Sequence, residues 1–541
     1  MRTIKSEKKC LIYYFIGKAN DLSDILPSER FATIAGIIKE KGHTVEIWDG
    51  ANSITLLNHK KALLEDVERL NFEDTNTSKA YKDQMEIEYH KIINQKFDVI
   101  FVNLWRGPGF KFTIELIEKI KKNHPHIKII AIGQGIDRIR ELTFETAPNL
   151  DAVLYGLGYE SILPIINNLK FEEIPNLIYK KEGKITFSKE KTTRNLNELP
   201  MPIYTEDVYK EIKGKIPVYP LTLSNEACPY NCPFCMRPAS YGTDLFKKNI
   251  ERTIAELKHL MFEYGIRHFR MIDSTPPYRA LTEFAQAILD EGLDQYNIQF
   301  SGFSRLDASK GDDFKLLSKA GFKALFFGIE TLDDTNQKNL NKVFSFERLK
   351  NTLQEVHDAG IITVGSFIFP LPKETEESMN NTLSRLRELK PILDSILIAP
   401  SGVFPNTDWR NNPEKYGIVC DEDYDQTFPS YPIKYVIPMR LWKPFPFRYE
   451  ILGKPAKEVQ FIDIVNLYEK FVNIVLNDIK IPMKCRDYDV VTAHLLGKEN
   501  FESAQLFIDI FSDMNYTKMQ EVIDFANEKV ELIKTPLNYK L

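Results

Sequence analysis

Short apolar runs and amphipathic stretches alternate along the first 170 residues. The runs predict buried strands, and the stretches between them have the three-and-four spacing of helices. The predicted strands lie at 9–16, 44–48, 98–103, 128–132 and 151–155. Strands that are buried on both faces and separated by helices are typical of a parallel, doubly wound α/β sheet, so we predict such a sheet for residues 1–170.

Strand and helix signals alternate six more times after residue 218. The strands are predicted at 219–224, 267–273, 298–301, 323–328, 362–368 and 395–399. Six strand–helix units of this kind predict an open (β/α)6 partial TIM barrel over residues 219–407. The reactive face of such a barrel is the rim formed by the carboxyl ends of its strands.

Two further segments complete the pattern. Residues 171–218 predict a hairpin at 177–187, turning at Glu182 and Gly183, followed by a proline-bearing linker. Residues 408–541 predict a helical domain, because 461–479 and 502–533 have helical apolar spacing. We expect that domain to close the open side of the barrel and to shape a substrate pocket.

Size and charge narrow the class of protein. A chain of 541 residues is too long for one core, which agrees with several domains. Its net charge of -5 and pI near 6.1 argue against a general nucleic-acid binder, which needs a concentrated basic face. The apolar run 10–16 is too short for a membrane helix. We therefore expect no membrane partner and a cytoplasmic location.

Three cysteines stand close together just after the first barrel strand. Cys228, Cys232 and Cys235 have CxxxCxxC spacing. A cubane [4Fe-4S] cluster takes four thiolates, so three of them leave one iron open to another ligand. Structural zinc needs four ligands, usually in two pairs, and a disulfide would leave one member of the triplet unpaired. We therefore favour an iron–sulfur site over a zinc site or a disulfide.

The triplet resembles the signature of the radical S-adenosylmethionine (SAM) superfamily, in which an aromatic residue, here Phe234, precedes the third cysteine. The resemblance implies that the open iron chelates SAM. It also implies that one-electron reduction cleaves SAM to a 5'-deoxyadenosyl radical. Such a reaction needs an electron donor, for which a flavodoxin or a ferredoxin is the expected partner.

Polar residues at the predicted rim are the candidates for holding SAM. They are Asp273, Ser301, Arg305, Gly328, Glu330, Ser366 and Glu374. The stretch Gly328-Ile-Glu-Thr331 resembles the Gly-Ile-Glu-Ser of the superfamily's fourth strand. By this resemblance, Arg305 would pair with the SAM carboxylate and Asp273 would accept from its amino group. Ser301 or Glu330 would accept from the ribose.

The features before the barrel resemble the cobalamin-binding domain that precedes the radical SAM domain in one large subfamily. Gly42-His-Thr-Val45 matches that subfamily's Gly-His-x-Val strand, and Gly158-Tyr-Glu160 matches part of its Gly-Glu-Gly-Glu turn. The chain also departs from it. Gly133-Gln-Gly135 replaces the usual Gly-Gly-Pro-His, and there is no DxHxxG histidine to ligate cobalt. These departures leave open a cobalamin fold that holds no cobalamin.

Glycine turns and one tryptophan are the candidate cobalamin contacts. They stand at the carboxyl ends of predicted strands, where doubly wound sheets bind ligands. The candidates are Trp105, Gly133, Gln134, Gly135, Gly156 and Glu160. Glycine lets the backbone approach a large planar cofactor closely, although glycine at a strand-to-helix turn is often only geometry. Trp105 would cover one face of the corrin, and plain packing is the alternative.

The resemblance predicts a cobalamin-dependent radical SAM methyltransferase that acts on an unactivated carbon of a small molecule or natural-product intermediate. One alternative is a radical SAM rearrangement or oxidation in which the cobalamin fold is empty or transfers no methyl group. The other is a metal-stabilised binding module without catalysis. The substrate cannot be inferred from the sequence, because one fold and one cofactor set serve many chemistries.

Overall fold

The chain divides into two compact units in a computed structural model that describes residues 6–69, 76–104, 109–306, 313–428, 431 and 438–534. The first unit comprises Met1–Ile216, Asp423–Val436 and Ile510–Asp524. The second comprises Pro217–Glu422, Ile437–Asp509 and Phe525–Leu541. The predicted hairpin and nearly all of the linker fall within the first unit, and the predicted C-terminal domain is shared between both. The predicted domain boundaries stay predictions.

An eight-stranded sheet forms the centre of the first unit in the described part of the chain. Its strands are β1 (Lys9–Tyr14), β2 (Thr44–Asp49), β3 (Val99–Asn103), β4 (Lys128–Ile132), β5 (Ala152–Leu154), β6 (Leu177–Lys181), β7 (Lys184–Phe187) and β8 (Tyr209–Lys210). Their order is β7-β6-β5-β4-β3-β1-β2-β8. β1 to β5 and β8 pair in parallel, and β6 and β7 add an antiparallel edge. The predicted doubly wound sheet is confirmed.

Helices lie between these strands. They are α1 (Glu29–Glu40), α2 (Ser53–Asn58), α3 (Lys61–Arg69), α4 (Lys79–Asn94), α5 (Phe110–Asn123), α6 (Gln134–Ile139), α7 (Thr143–Thr146) and α8 (Tyr159–Ile166). Side-chain caps fix where several of them begin: Ser28 Oγ accepts from Phe31 N at the start of α1, and Ser78 Oγ accepts from Tyr81 N at the start of α4.

The hairpin of β6 and β7 turns where the sequence predicts it. Glu182 has φ of +51° and Gly183 has φ of +77°. Two successive residues with positive φ are what a two-residue type I′ turn requires, and this turn matches the twist of the flanking strands. The predicted hairpin is confirmed.

A six-stranded parallel sheet forms the second unit. Its strands are β9 (Val218–Leu221), β10 (His268–Met271), β11 (Gln299–Ser304), β12 (Phe322–Glu330), β13 (Ile362–Ile368) and β14 (Ser395–Ala399), and they lie side by side in sequence order. The helices between them are α9 (Arg237–Tyr241), α10 (Ile250–Tyr264), α11 (Ala280–Asp290), α12 (Phe314–Lys319), α13 (Asp334–Asn339), α14 (Phe346–Asp358) and α15 (Glu376–Leu389). Within the described residues β9 and β14 are the outermost strands, so the predicted open (β/α)6 barrel is confirmed.

The remainder of the chain is mainly helical. Its elements are α16 (Asp408–Asn411), β15 (Ile418–Cys420), α17 (Tyr424–Thr427), β16 (Phe447–Tyr449), α18 (Phe461–Asn473), α19 (Asp487–Leu496), α20 (Asn500–Ser512) and α21 (Tyr516–Lys534). The single helix predicted at 502–533 is wrong, because the chain breaks between α20 and α21 at Met514, which has φ of +52°. Asn515 then caps α21 by accepting from Lys518 N at 3.0 Å.

α19 packs on the face of the barrel strands that the surrounding helices leave free. Side chains of β11 alternate between the two layers. Phe300 contacts Phe284 of α11 with ring centroids 5.4 Å apart, while Ser301 donates to Asp487 of α19 at 3.2 Å. α19 has no apolar stripe because nearly all of its residues are buried, which is why helical periodicity does not predict it.

The contacts of α19 and the segment before it lie toward the amino-terminal ends of the strands. At the start of β14, Ser395 Oγ donates to Cys485 O at 2.7 Å, and Ile396 N donates to Pro482 O at 2.9 Å. Near the start of β12, Lys323 lies close enough to His494 to lower its pKa, an effect that adds to the larger one of burial. The expectation that the C-terminal domain closes the open side of the barrel stays a prediction, and α19 covers the strands near their amino-terminal ends.

Other C-terminal residues do border the rim. Phe471 of α18 stacks on Phe369, just beyond β13, with ring centroids 3.9 Å apart. Tyr468 OH donates to Ile398 O near the end of β14 at 3.0 Å. The C-terminal region thus supports both ends of the barrel. Among the described residues, no helix combines the length and the apolar character needed to cross a bilayer.

Loss of the ion pair between Arg270 of β10 and Asp487 of α19 should be costly. The two side chains are 12% and 0% exposed, and Arg270 Nε lies 3.1 Å from Asp487 Oδ2. Asp487→Ala leaves the guanidinium without its carboxylate, and breaking a buried pair in this way costs about 3 to 5 kcal/mol. We expect chemical denaturation to show the loss as a lower unfolding midpoint.

Lys350→Ala, which breaks an exposed pair with Glu388, is the control and should cost about 1 kcal/mol or less. Equal effects would contradict a stabilising role for the buried pair.

Candidate cluster site and cofactor-binding edge

The three cysteines of the predicted cluster site lie in the loop that follows β9. Cys228 N donates to Gly242 O at 3.2 Å, and Cys235 N donates to Cys232 O at 3.0 Å. Cys228 and Cys232 are each 8% exposed. The thiols are free and lie close enough to influence one another electrostatically. The loop therefore gathers three sulfur ligands in one place.

Burial in this loop raises the pKa of the Cys228 and Cys235 thiols. It raises that of Cys235 to about 11, with further increases from the neighbouring Cys232 and Cys228. Burial also raises the pKa of Cys228, while the positive charge of Arg305 acts in the opposite direction. Thiols with raised pKa are neutral at pH 7, and a bound metal must displace their protons. The loop therefore releases protons when it takes up metal.

The donor set fits a cluster better than a single ion. Among the described residues, no group of three or more His, Cys, Asp or Glu side chains is arranged to hold one metal ion. A cubane cluster binds each thiolate to a different iron, so its ligands stand farther apart than those of one tetrahedral ion. Three neighbouring thiols fit a [4Fe-4S] cluster with one open iron.

Arg305 lies beside the cluster cysteines, just after β11. Its Nη1 is 3.6 Å from Cys232 Sγ, and its guanidinium lies 3.7 Å from the centroid of the Tyr230 ring. Stacking of this kind orients a planar, permanently charged fork. The structure thus brings Arg305 to the cluster loop, and its pairing with the SAM carboxylate stays a prediction.

Glu330 and Lys342 form a buried pair at the end of β12. Glu330 has φ of +67°, and its Oε1 accepts from Lys342 Nζ at 2.8 Å. The charge of Lys342 reaches Cys228, where it lowers the thiol pKa against the larger effect of burial. A Cβ on Gly328 would come within 2.7 Å of the Glu330 carboxylate and 2.8 Å of Lys342 Nζ, so a side chain there would shift the pair. Ser366 of β13 stands in register with Gly328. Leu340-Asn-Lys342 belongs to the stretch that resembles the superfamily motif, but the sequence does not predict that Lys342 pairs with Glu330.

Asp273 and Ser301, two predicted SAM contacts, have partners within the chain. Asp273 Oδ1 and Oδ2 accept from Leu223 N at 3.1 and 2.9 Å, and Oδ1 also accepts from Ser224 Oγ at 2.5 Å. Burial raises the pKa of Asp273 despite these bonds. Ser301 donates to Asp487. Asp273 thus holds the start of the cluster loop, and the contacts of both residues with SAM stay predictions.

Glu374 braces the turn that follows β13. Its carboxylate accepts from Leu371 N at 3.1 Å, from Asn336 Nδ2 at 3.1 Å and from Ser378 Oγ. Burial raises its pKa to about 7 against the lowering effect of these bonds. Through these three hydrogen bonds, the Glu374 carboxyl group holds neighbouring segments of the barrel rim together.

Phe234, the aromatic residue of the cysteine motif, packs on a residue that follows the last barrel strand in the chain. Its ring centroid lies 5.8 Å from that of Trp409 in α16, and Trp409 N donates to Pro233 O at 3.0 Å. Trp409 is 1% exposed. It anchors the cluster loop, a role that sequence analysis does not predict, because α16 and the loop are more than 170 residues apart.

In the first unit, the strand order reverses between β1 and β3, the switch point at which doubly wound sheets bind ligands. After β4, Gly133 has φ of +103°, and a Cβ there would lie 1.7 Å from Asn103 Oδ1 at the end of β3. Position 133 therefore admits no side chain. Gln134 and Gly135 begin α6, and Gly135 is buried. These residues lie at the predicted edge, and their contact with cobalamin stays a prediction.

Arg30 of α1 joins the two glycine turns. Its Nη1 donates to Asp137 Oδ2 at 2.9 Å, and its Nη2 donates to Gly156 O. Asp137 Oδ1 in turn accepts from Gly156 N at 2.9 Å. Burial raises the pKa of Asp137 to about 6, although Arg30 acts to lower it. Glu160 accepts from Thr193 Oγ1 at 2.8 Å. This network, which the sequence does not predict, fixes the shape of the edge.

A second buried network lies at the end of β2. Lys215 Nζ is 2.7 Å from Asp49 Oδ2, and both side chains are 2% exposed. Tyr209 OH donates to the same carboxylate at 2.5 Å. Burial lowers the pKa of Lys215, and Asp49 opposes that shift. The network ties the linker to the sheet. Trp105, the predicted cover of a corrin face, lies outside the described residues.

Residues 223–386 match the radical SAM superfamily. This segment contains the cysteine triplet and four of the six barrel strands, β10 to β13, so the match confirms the predicted radical SAM domain. A radical SAM domain implies the predicted [4Fe-4S] cluster and SAM as cofactors, and the three thiols of the loop after β9 fit the cluster.

Known proteins resemble the chain beyond this segment. An uncharacterized methyltransferase of Pyrococcus horikoshii is 26% identical over 308 residues, which are 55% of this chain and 66% of that protein. The alignment thus spans slightly less than two thirds of that relative.

Two solved structures share the fold over nearly the whole chain. TsrM, a radical SAM methyltransferase of Kitasatospora setae solved with cobalamin and a [4Fe-4S] cluster, covers 97% of this chain and 100% of its own at 13% identity and a TM-score of 0.67. OxsB, a cobalamin-dependent SAM radical enzyme solved with aqua-cobalamin, covers 93% of this chain and 67% of its own at 15% identity and a TM-score of 0.57. At these identities the likeness shows the architecture, and it confirms the predicted fold class.

Proposed function

We propose that the chain, in which residues 223–386 form a radical SAM domain, is a cobalamin-dependent radical SAM methyltransferase. Its substrate would be a small molecule or natural-product intermediate with an unactivated carbon. The observation that carries the proposal is the loop of three neighbouring thiols at the rim of the (β/α)6 barrel, with Arg305 beside it. The doubly wound sheet of the first unit, with its side-chain-free turn at Gly133, is the support for cobalamin.

When bound, the cluster supplies the electron for reductive SAM cleavage and cobalamin supplies a carrier for the methyl group. The residues of the chain bind and orient these groups. Cys228, Cys232 and Cys235 would hold the cluster, and Arg305 places a fixed positive charge beside Cys232, from which it would pair with the SAM carboxylate. Trp409 keeps the loop anchored through Pro233.

The similar proteins support methyl transfer without deciding it. The Pyrococcus relative and TsrM are named as methyltransferases, whereas OxsB is named as a cobalamin-dependent radical enzyme. A rearrangement or oxidation therefore remains the second candidate, and the altered turn Gly133-Gln-Gly135 is the observation that favours it. The partners we propose are a small-molecule substrate and an acidic electron donor such as a flavodoxin or ferredoxin. A cytoplasmic location stays a prediction.

The test is to follow both products of SAM in anaerobically reconstituted protein supplied with cobalamin and a chemical reductant. We expect 5'-deoxyadenosine from reductive cleavage and S-adenosylhomocysteine from loss of the methyl group, the second only when cobalamin is present. Formation of 5'-deoxyadenosine alone would favour the rearrangement or oxidation. Stoichiometric zinc without iron would leave only the binding module.

Arg305→Ala should weaken SAM binding. The substitution removes one charge-assisted pair, a loss of about 1.5 to 3 kcal/mol, or roughly tenfold to a hundredfold in affinity. Equilibrium dialysis of the reconstituted protein with labelled SAM measures the change. Arg305→Lys keeps the charge but loses the planar fork, so it should fall between the wild type and the Ala variant. An unchanged dissociation constant for Arg305→Ala would remove this residue from the SAM site.

A further inference from the structure

A cavity of about 360 Å³ opens beside the cluster loop in the second unit. Four segments line it: Asn231 and Pro233 of the cluster loop, residues 336–341 at α13, residues 371–373 after β13, and residues 408–416 around α16. Arg305, Gly328 and Glu330, the residues assigned to SAM, are not among its lining residues. The cavity is therefore a separate feature of the same rim.

The wall of the cavity is continuous with the cluster site. Asn341 Nδ2 donates to Asn231 O at 2.9 Å, and Trp409 N donates to Pro233 O at 3.0 Å. Asn231 and Pro233 are the two chain neighbours of Cys232. A molecule seated in this cavity would thus lie one residue away from a cluster ligand.

The lining of the cavity carries more positive than negative side chains, in contrast to the chain as a whole. The lining residues include three exposed lysines, Lys338, Lys373 and Lys415, and a single carboxylate, Asp408. Asp408 already pairs with Lys415 at 3.2 Å. The net charge of the chain is -5, so this excess of positive charge is local. We call the cavity together with these three lysines the lysine surface.

An exposed apolar residue follows one of the lining segments along the chain: Val343, two residues beyond Asn341, is 62% exposed. In transient protein interfaces, electrostatics brings partners together and fixes their orientation. Small-molecule pockets, in contrast, are lined mainly by apolar and aromatic side chains. The chemistry of the lysine surface thus favours a protein that presents carboxylates.

We propose that the lysine surface docks the acidic electron carrier that reduces the cluster. The inference rests on the proposed function, because a reductively cleaved SAM requires an electron from outside the chain. In the step itself, one electron leaves the reduced carrier and enters the cluster, so the carrier is oxidised by one electron and the cluster is reduced by one. No bond forms or breaks and no proton moves at the lysine surface.

Flavodoxin, an acidic electron carrier, is the probe for a direct binding test. The variant carries Lys338→Glu and Lys373→Glu and leaves Lys415 with its partner Asp408. The control carries Lys315→Glu and Lys319→Glu on α12, exposed lysines that change the net charge equally but do not line the cavity. We expect the dissociation constant of flavodoxin at low salt to rise about tenfold or more in the variant and to stay near the wild-type value in the control. The wild-type affinity should also fall as salt is added, and that dependence should be weaker in the variant.

A kinetic test uses two reductants on the reconstituted protein. With flavodoxin and its reductase, the rate of 5'-deoxyadenosine formation is measured at increasing flavodoxin concentration. The concentration that gives the half-maximal rate should be at least tenfold higher for the variant than for the wild type. With titanium(III) citrate, which needs no docking, the variant and the wild type should cleave SAM equally fast. This comparison separates electron delivery from SAM chemistry.

The outcomes distinguish this proposal from the proposed function. If the variant binds flavodoxin as tightly as the wild type does, or loses activity equally with both reductants, the docking proposal is wrong. Equal loss would make the lysine surface part of the SAM or small-anion machinery. If wild-type protein cleaves no SAM with titanium(III) citrate, the proposed function fails. The binding comparison then still decides whether an acidic carrier docks here.

Discussion

Substitution of Cys228, Cys232 and Cys235 by Ala should abolish both iron binding and SAM cleavage. Anaerobically reconstituted wild-type protein should hold about four iron atoms per chain, the content of one cubane cluster. The triple variant should hold none, because the loop then offers no sulfur and the described residues contain no alternative group of metal ligands. Iron and sulfide analysis, with 5'-deoxyadenosine formation under a reductant, measures both effects.

Cys420→Ala is the matched control for this loss. Cys420 lies in β15 and belongs to no group of spaced cysteines. The control should keep both the iron and the activity. Eight iron atoms in the wild type would mean a second cluster, and iron that persists in the triple variant would show that the cluster lies elsewhere.

Purification with a supply of cobalamin should give protein that retains cobalamin in near one-to-one amount, and Gly135→Trp should evict it. Gly135 is buried in the first turn of α6, and the adjoining position 133 admits no side chain. An indole there would intrude on the edge at which the corrin is expected. Absorbance after removal of free cobalamin measures the retained amount.

The control for this eviction places the same bulk at the opposite edge of the sheet. Glu40 is exposed at the C-terminal end of α1, which leads into the start of β2. Glu40→Trp should retain cobalamin as the wild type does. If the wild type itself holds no cobalamin but still cleaves SAM, methyl transfer is ruled out and rearrangement or oxidation takes its place.

The bound cobalamin should show a spectrum of cobalt without a protein nitrogen ligand. The chain lacks the DxHxxG histidine, and His59, a buried histidine of the first unit, packs against Phe15 with ring centroids 5.5 Å apart. Its Nδ1 lies 3.4 Å from Gly17 O, so one ring nitrogen already has a partner within the chain. His59→Ala should therefore leave the cobalamin spectrum unchanged. A shifted spectrum would make His59 a cobalt ligand.

Features set by neighbouring residues can be predicted from this sequence. The parallel strands appear as continuous apolar runs because both of their faces are buried. The Glu182-Gly183 turn follows from which residues adopt positive φ, and the cysteine triplet follows from spacing along one loop. The break between α20 and α21 also had a local signal in Asn515, the cap of α21, but the continuous apolar spacing around it favoured one helix.

The partners of the site residues depend on tertiary structure. Glu330 and Arg305 could be placed at the rim from the sequence, but the Lys342 partner of Glu330 and the Tyr230 ring beneath Arg305 could not. Asp273 was placed at the rim as well, where the fold uses its carboxylate to hold Leu223. A polar side chain binds whichever group the packing brings to it, and its own sequence neighbourhood does not specify that group.

What the sequence determined by itself is a loop of three neighbouring thiols and the succession along the chain of a doubly wound sheet and a (β/α)6 barrel, since both follow from short-range spacing and burial pattern. The tertiary structure alone decided that α19 covers the barrel strands near their amino-terminal ends and that Arg30 joins two glycine turns. α19 carries no apolar stripe because the barrel surrounds it, and Arg30 meets Asp137 across 107 residues of chain. Contacts of this range are selected by the packing of whole elements, because only the assembled fold brings such distant residues within reach of each other.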